Sequence, residues 1–297
     1  MIPAISTIIV NYNAGALLRT CVDSLLNCPL EIEILVVDNA SHDGSLQALQ
    51  GLERVRVIAN ASNLGFASAC NIGAHVASAP NLLFLNPDCF FQPEALGVLL
   101  SALHADDQVG MVGALIVNLD GTEQAGGRRA IPTPWRTFVR AFGLTRFAKY
   151  WPNLFYDFHL HKQPLPESPM EVEAISGACM LVKKSAVDDV GYWDEGYFLH
   201  CEDLDWCMRF RQNGWKILFV PGAKITHALG ACSKDVKVFV EWHKHKGMVR
   251  FYRKFFRTHY SSVLMAMVIV AVWLRFVLVA SFHTFKKYFR QLNLSGH

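Results

Sequence analysis

Four absences narrow the reading of this sequence. None of its eight cysteines (21, 28, 70, 89, 179, 201, 207, 232) belongs to a C-x-x-C pair, and most sit inside apolar runs. This points away from a disulfide framework and toward buried, reduced thiols in a reducing compartment. No signal peptide is legible: Met1 leads straight into Ile5–Val10, which is too short and has neither a charged n-region nor a cleavage site. The catalytic body is therefore expected in the cytoplasm. No G-x-G-x-x-G follows the first predicted strand, where Asn11-Tyr12-Asn13-Ala14-Gly15 stands instead, which disfavours a dinucleotide-dependent oxidoreductase. Acid is missing from one end: after Glu241 there is no Asp or Glu, while ten Lys and Arg lie between Lys244 and Arg290. The net charge of +3 thus hides 18 basic against 25 acidic residues before that point, a balance of −7. A basic tail suits nucleic acid or anionic lipid. Here the charges flank an apolar segment and alternate with Phe and Tyr, so a membrane surface is the expected partner and nucleic acid is not.

What is present suits a globular chain more apolar than most soluble enzymes, with 52% hydrophobic and 18% charged residues. At 297 residues it holds one large domain and an appendage, divided here as a catalytic domain over 1–241 and a basic, apolar helical tail over 242–297. The first hundred residues alternate β-rich runs (Ile5–Asn11, Ile32–Asp38, Val55–Asn60, Leu82–Asn86) with helical patterns (Ala16–Leu26, Ser45–Leu52, Phe66–Ala79, Pro93–His104). That is the pattern of βαβ units on a mostly parallel sheet, whose ligands bind at the carboxyl ends of the strands. Asn11, Asp38 and Asp88 would then surround one cleft. Further strands are expected near Met111–Val117, Val172–Val182 and Lys216–Val220, with a helix from about Asp203 to Gln212. Ile131–Pro169, rich in proline and aromatic residues, reads as a long loop that is either functional or a local apolar flap. Ser261–Phe282 is apolar apart from Arg275. A membrane span needs roughly 20 apolar residues and a central arginine costs about 2.5–3.5 kcal/mol, so a span and an in-plane helix both fit. Arg257 on one side and Lys286, Lys287 and Arg290 on the other would anchor it.

Five places carry the chemistry. Asp38 ends a strand in V-V-D-N-A-S-H-D-G-S, where a carboxylate can accept from a nucleobase imide or a ribose hydroxyl, or merely cap a turn. Asn63–Gly73 puts glycine and small side chains at a helix mouth suited to a diphosphate, with close packing as the alternative. In Leu83–Phe91 a hydrophobic strand ends in Asn86-Pro87-Asp88; Asp88 offers the oxygen ligand that Mg²⁺ or Mn²⁺ prefers, and the same step can be a turn. In Gly191–Arg209, Glu202, Asp203 and Asp205 open a helix. Asp205 can pair with Arg209 at i+4, which leaves Glu202 and Asp203 for the cleft, one raising the other's pKa. His227 follows a strand in I-T-H-A-L-G and could reach the same metal. His159 and His161 carry no assigned role.

Taken in order, Ile8-Ile9-Val10-Asn11-Tyr12-Asn13, Val36-Val37-Asp38-Asn39-Ala40-Ser41, Asn63-Leu64-Gly65-Phe66, Asn86-Pro87-Asp88, Ser176-Gly177-Ala178, Glu202-Asp203-Leu204-Asp205 and Thr226-His227 resemble inverting glycosyltransferase family 2, in its rhamnosyltransferase-like branch. The resemblance covers roughly residues 4–250. It implies an α/β GT-A fold and transfer from a nucleotide-diphosphate sugar, with dTDP-rhamnose the first choice and galactofuranose, N-acetylglucosamine or glucose donors as alternatives. The acceptor would be a saccharide on a polyprenyl diphosphate, met at the cytoplasmic face of the inner membrane during cell-surface polysaccharide synthesis. A nucleotide-sugar-binding protein without turnover is the other class. The implied roles are Asp203 as base with Glu202 beside it; Asn11, Asp38, Asn63, Gly65, Asn71 and Asp88 at the donor; Asp88 and His227 on Mg²⁺ or Mn²⁺; and Gly177, Ala178 and Trp193 at the sugars. Asn86 departs from the family's pattern, which often has an aspartate there.

Overall fold

The computed structural model describes residues 3–155, 157–228 and 236–295, and for 141 and 287–295 the backbone alone; Met1, Cys232 and the side chains of Lys287 and Arg290 lie outside the described residues. The first half runs β1 (Ile5–Asn11), α1 (Ala16–Leu26), β2 (Ile32–Asp38), β3 (Val55–Ala59), α2 (Phe66–Val76), β4 (Asn81–Leu85), β5 (Cys89–Phe91), α3 (Ala95–Leu103) and β6 (Val109–Val117). The second half runs β7 (Arg128–Arg129), α4 (Pro134–Ala141), β8 (Met170–Glu171), β9 (Ala174–Ile175), β10 (Cys179–Lys183), α5 (Lys184–Val190), α6 (Glu202–Gln212), β11 (Lys216–His227), α7 (Lys237–Phe255) and α8 (Ser262–Ser295).

The main sheet has the order β3-β2-β1-β4-β10-β6-β11-β5, with β8 beside β11. Its first four strands are parallel, and β10 enters antiparallel between β4 and β6. Strand β1 is buried along its whole length because both faces are covered, so apolar residues fall on both faces and alternate ones serve different layers. Ile8 and Val10 join Leu35 and Val37 in one core, and Ile5 and Ile9 join Ile34 and Val36 in the other. The parallel register pairs Asn11 with Asp38, which brings both polar strand ends to the carboxyl edge.

Where the structure departs from the sequence reading, tertiary contacts decide. Ser45–Leu52 keeps only a 3-10 turn at Gln47–Leu49. The run Val172–Val182 is broken at Ser176–Ala178 into β9 and β10. The expected Lys216–Val220 strand continues to His227 through a register shift between Val220 and Lys224, where Pro221 and Gly222 fall; a bulge is the place a strand tolerates proline. The long loop contains a helix, α4, whose Thr133 Oγ accepts from the Arg136 N–H and whose first turn begins with Pro134.

The expected division after residue 241 falls inside α7, one continuous helix. Phe251, Tyr252, Phe255 and the adjoining Phe256 are buried in the same core as Phe84, Trp206 and Phe219. Each such side chain stabilises by roughly 1.5–3 kcal/mol relative to exposure, so α7 completes the catalytic domain. Among the described residues, α8 is the one helix long and apolar enough to cross a membrane: within Ser262–Lys286 an 18-residue window has a mean hydropathy of 2.7, and 6% of that window is buried. Arg275 does not stand alone in it, because its Nη1 lies 2.7 Å from His245 Nε2 and 3.8 Å from Glu241 Oε2 on α7.

Candidate active site

The carboxyl edge of the sheet carries a connected polar turn. Asn11 Nδ2 donates to Asp38 Oδ1 (2.7 Å) and lies within reach of Ser41 Oγ (3.1 Å) and Ser45 Oγ (2.8 Å); the Ser41 N–H donates to Asp38 Oδ2 at 3.0 Å. Asn39 Nδ2 then donates to the Gly65 carbonyl (3.1 Å), whose own N–H donates to Asn63 Oδ1 at 2.9 Å. Asn11, Asp38, Asn63 and Gly65 are thus held in one network, although Asn11 and Asp38 are buried beneath the cleft surface. Gly65 (φ +85) is required by a neighbouring loop: an added Cβ would lie 2.6 Å from the Phe198 carbonyl oxygen. That carbonyl also accepts the Phe66 N–H at 2.8 Å, so the first N–H of α2 is already used by protein.

The adjoining cleft, about 280 Å³, is lined by Asn63, Gly65, Asn86, Asp88 and His227, together with Tyr12. The bulge in β11 explains how His227 arrives. Beyond it, His227 pairs with Cys89 of β5, and the Ala228 N–H donates to the Asp88 carbonyl at 2.9 Å. His227 Nε2 then lies 3.1 Å from Asp88 Oδ1, with both residues buried. Gln124, which the sequence gives no cue to single out, sets the tautomer. Its Nε2 donates to Asn118 Oδ1 (3.0 Å), so its Oε1 accepts from His227 Nδ1–H (2.7 Å). With Nδ1–H so engaged, Nε2 is the nitrogen turned to the carboxylate, and in the neutral imidazole its lone pair and Asp88 Oδ1 would together offer a divalent cation two ligands. The nearby Cys89 thiol has a donor atom within 4.8 Å of both, but burial, reinforced by Asp88, raises its pKa well above the ordinary value, and it donates to the Ala178 carbonyl (3.4 Å). Asp88 and His227 thus fit a cation whose remaining ligands come from phosphate and water.

On the other side of this edge, α6 opens with Glu202 and Asp203. The two residues before it, His200 (φ 68) and Cys201 (φ 71), are both left-handed, an uncommon backbone for non-glycine residues that tertiary contacts must hold. α7 does so through Gly247, where a Cβ would meet the His200 carbonyl oxygen at 2.7 Å. Glu202 is buried and its Oε2 has no hydrogen-bond partner among the described residues. Burial, then the charge of Asp203, pushes its pKa up to about 8. Asp203 Oδ2 is ion-paired to Arg129 Nη2 and accepts the Gly177 N–H at 3.1 Å. Arg129 was not singled out in the sequence; the only hint was a pair of arginines after Gly126-Gly127.

Gly177 and Ala178 join the two halves of the site. The Gly177 N–H binds Asp203, while the Ala178 carbonyl accepts the Asn86 N–H at 3.0 Å. Asp203 is therefore linked through two residues to the Asn86–Asp88 step. Asn71 and Trp193 are placed elsewhere. Asn71 makes two hydrogen bonds, each 3.0 Å, with the Trp193 backbone and a third with Glu195, while the Trp193 ring is buried between Phe66, Phe84 and Trp206. Together they fasten the loop before α6 to α2, and neither lines the cleft.

The fold is that of nucleotide-sugar glycosyltransferases. A mannosyltransferase from Pyrobaculum calidifontis, solved with GDP-Man and Mn²⁺, superimposes with a TM-score of 0.59 at 16% identity, covering 91% of this chain and 69% of that one. Sequence narrows the class. Residues 6–191 match the model of glycosyl transferase family 2, and 127–289 that of glycosyl transferase family group 2. The N-acetylglucosaminyl-diphospho-decaprenol L-rhamnosyltransferase of Mycobacterium tuberculosis is 30% identical over 240 residues, 76% of either chain. A dTDP-rhamnosyl transferase of Shigella flexneri is 23% identical over 224 residues, 74% of this chain and 67% of its own. The chain belongs to glycosyltransferase family 2, in the rhamnosyltransferase-like branch, and is a glycosyltransferase.

Proposed function

We propose that this enzyme transfers rhamnose from dTDP-rhamnose, with inversion, to a saccharide carried on a polyprenyl diphosphate at the cytoplasmic face of a membrane. The observation that supports the mechanism is the Gly177–Ala178 link, through which Asp203 is connected to the Asn86 end of the Asn86–Asp88 step beside His227. Asp203 accepts the proton of the acceptor hydroxyl, whose oxygen forms a bond to the sugar C1 as the bond from C1 to the diphosphate breaks. Nucleoside diphosphate leaves on the opposite face. Arg129 and the Gly177 N–H hold one carboxylate oxygen and so orient the base before substrate arrives. Glu202 carries a proton at neutral pH, which keeps a second negative charge away from Asp203. The Asn11–Asp38 turn would hold the nucleoside, and Asp88 with His227 would hold Mg²⁺ or Mn²⁺. A bound divalent cation would neutralise charge on the leaving diphosphate.

The relatives support this sugar and acceptor: both names state rhamnosyl transfer, and that of the Mycobacterium tuberculosis enzyme includes N-acetylglucosaminyl-diphospho-decaprenol. Membrane attachment follows from α8 and its basic flanks. A transfer assay with a panel of nucleotide sugars and N-acetylglucosaminyl-diphospho-polyprenol tests the proposal directly. Turnover should be greatest with dTDP-rhamnose; preference for a different sugar overturns the donor assignment, and transfer with retained configuration overturns the mechanism.

A further inference from the structure

α7 and α8 form an antiparallel hairpin closed by the short 256–261 connection. Trp242 packs on Trp273 (5.0 Å) and Phe276 (5.4 Å), and His245 on Phe276 (5.5 Å). Nearer the turn, Phe256 packs on Tyr260 (6.2 Å) and Met265 is buried. α8 therefore runs beside α7 from Met265 to Phe276, while α7 is built into the catalytic core through Gly247, Phe251 and Tyr252. A bilayer surrounding this length of α8 would have to engulf α7 with Lys244, Lys246, Arg250, Arg253 and Lys254 on it. Beyond Phe276 only Val277–Phe285 remains before Lys286. That is about 14 Å of helix at 1.5 Å per residue, half of the roughly 30 Å hydrocarbon layer.

The seam also carries a basic cavity of about 540 Å³, walled by Lys246, Arg250, Arg253 and Lys254, with Trp273 on its apolar side. Arg250 and Lys254 share Asp194, and Lys254 also reaches Asp205. Lys246 and Arg253 have no ion-pair partner among the described residues, and among these the cavity keeps a net positive charge. The opposite side of α8 presents Val263, Met267, Val270, Leu274, Val277 and Leu278 to the exterior. Neither helix is an interfacial helix by itself, but the hairpin is amphipathic as a unit, with α8 supplying the apolar layer and α7 the cations.

We infer that α8 is an in-plane anchor that does not cross the membrane, and that the α7–α8 cavity takes the phosphate of an anionic phospholipid. This rests on the membrane attachment proposed above but on neither the sugar nor the base. Two measurements on the full chain test it, and neither reads activity. With a protease-cleavable tag at the C-terminus, sealed inside-out membrane vesicles should lose the tag from the same side on which the catalytic domain is digested; a tag on the opposite side overturns the in-plane assignment. Binding to phosphatidylcholine vesicles with and without phosphatidylglycerol should show a preference for the anionic ones that falls roughly tenfold or more in Lys246→Glu/Arg253→Glu, given about 1 kcal/mol for each basic residue near the surface. The neutral pair Lys246→Gln/Arg253→Gln should lose the preference in part and guards against misfolding of the charge-reversed protein. An undiminished preference in both variants, or a gain confined to neutral vesicles doped with polyprenyl diphosphate, overturns the phospholipid assignment.

Discussion

Glu202 has to take up a proton when the chain folds, and this makes a measurable prediction. Its carboxyl is buried beside Asp203, and burial first, then that charge, raises its pKa from 4.5 to about 8. Between these values the folded protein binds a proton that the unfolded chain has released. Stability from this group is thus greatest below about pH 4.5 and falls as pH rises toward 8. One proton corresponds to about 1.4 kcal/mol per pH unit, so Glu202 alone should cost roughly 2–3 kcal/mol between pH 5.5 and 7.5. Glu202→Gln keeps the size and removes the titration. The amide also places an N–H where no partner waits, a cost of about 1–3 kcal/mol that does not change with pH. The readout is therefore the difference between the pH profiles of the two proteins, and the absolute stability of the variant is secondary. Urea unfolding of the detergent-solubilised full chain, followed by tryptophan fluorescence, should show the variant losing less stability from pH 5.5 to 7.5 by that amount. Parallel profiles would show that Glu202 is not protonated in the folded state, and the division of labour proposed for Glu202 and Asp203 would fall with it.

Asp203→Asn should lower transfer by roughly 10²–10⁴-fold while donor affinity stays within a few fold, because the proton acceptor is needed only as the bond forms; near-normal turnover with Glu202→Gln dead would move the base to Glu202. Chelation should abolish activity, Asp88→Ala should lose metal-dependent donor binding, and His227→Ala should weaken metal use in the same direction; full activity in excess chelator refutes this. Gly247→Ala drives a Cβ to 2.7 Å from the His200 carbonyl oxygen and should cost about 1–3 kcal/mol in thermal or urea unfolding, with reduced turnover, since that carbonyl belongs to the turn presenting Glu202 and Asp203. A chain cut after Glu241 removes Phe251, Tyr252 and Phe255 from the core and should aggregate, whereas one cut after Tyr260 should stay folded and leave the membrane pellet; limited proteolysis and flotation distinguish them.

Most of the candidate donor side was legible because it rests on local patterns. Apolar runs ending in Asn11, Asp38 and Asn86-Pro87-Asp88 declare strands whose polar ends meet at one edge, and the parallel register delivers that. Glu202-Asp203 was visible as an acidic helix start. Arg129 and Gln124 were not, since each acts on a residue about 74 or 103 positions away and nothing around it in sequence reports the contact. Asn71 and Gly65 carried the opposite difficulty: a polar or permissive residue in a motif looks the same whether it meets a ligand or, as here, the Trp193 and Phe198 backbones.

Composition and periodicity by themselves pointed to the α/β class and a basic, apolar end, and the ordered motifs from Ile8–Asn13 to Thr226-His227 carried the family resemblance. These depend on side-chain type at short spacing, which any stretch of chain displays before it folds. Only the tertiary structure decided where the catalytic domain stops, what Arg275 pairs with and how His227 comes to face Asp88. α7 interleaves basic and aromatic residues, so sequence alone could place it with the membrane tail; Gly247 and Phe251 commit it to the core. His227 needed a bulge at Pro221-Gly222 and an antiparallel partner in Cys89, both products of long-range pairing whose register no local pattern encodes.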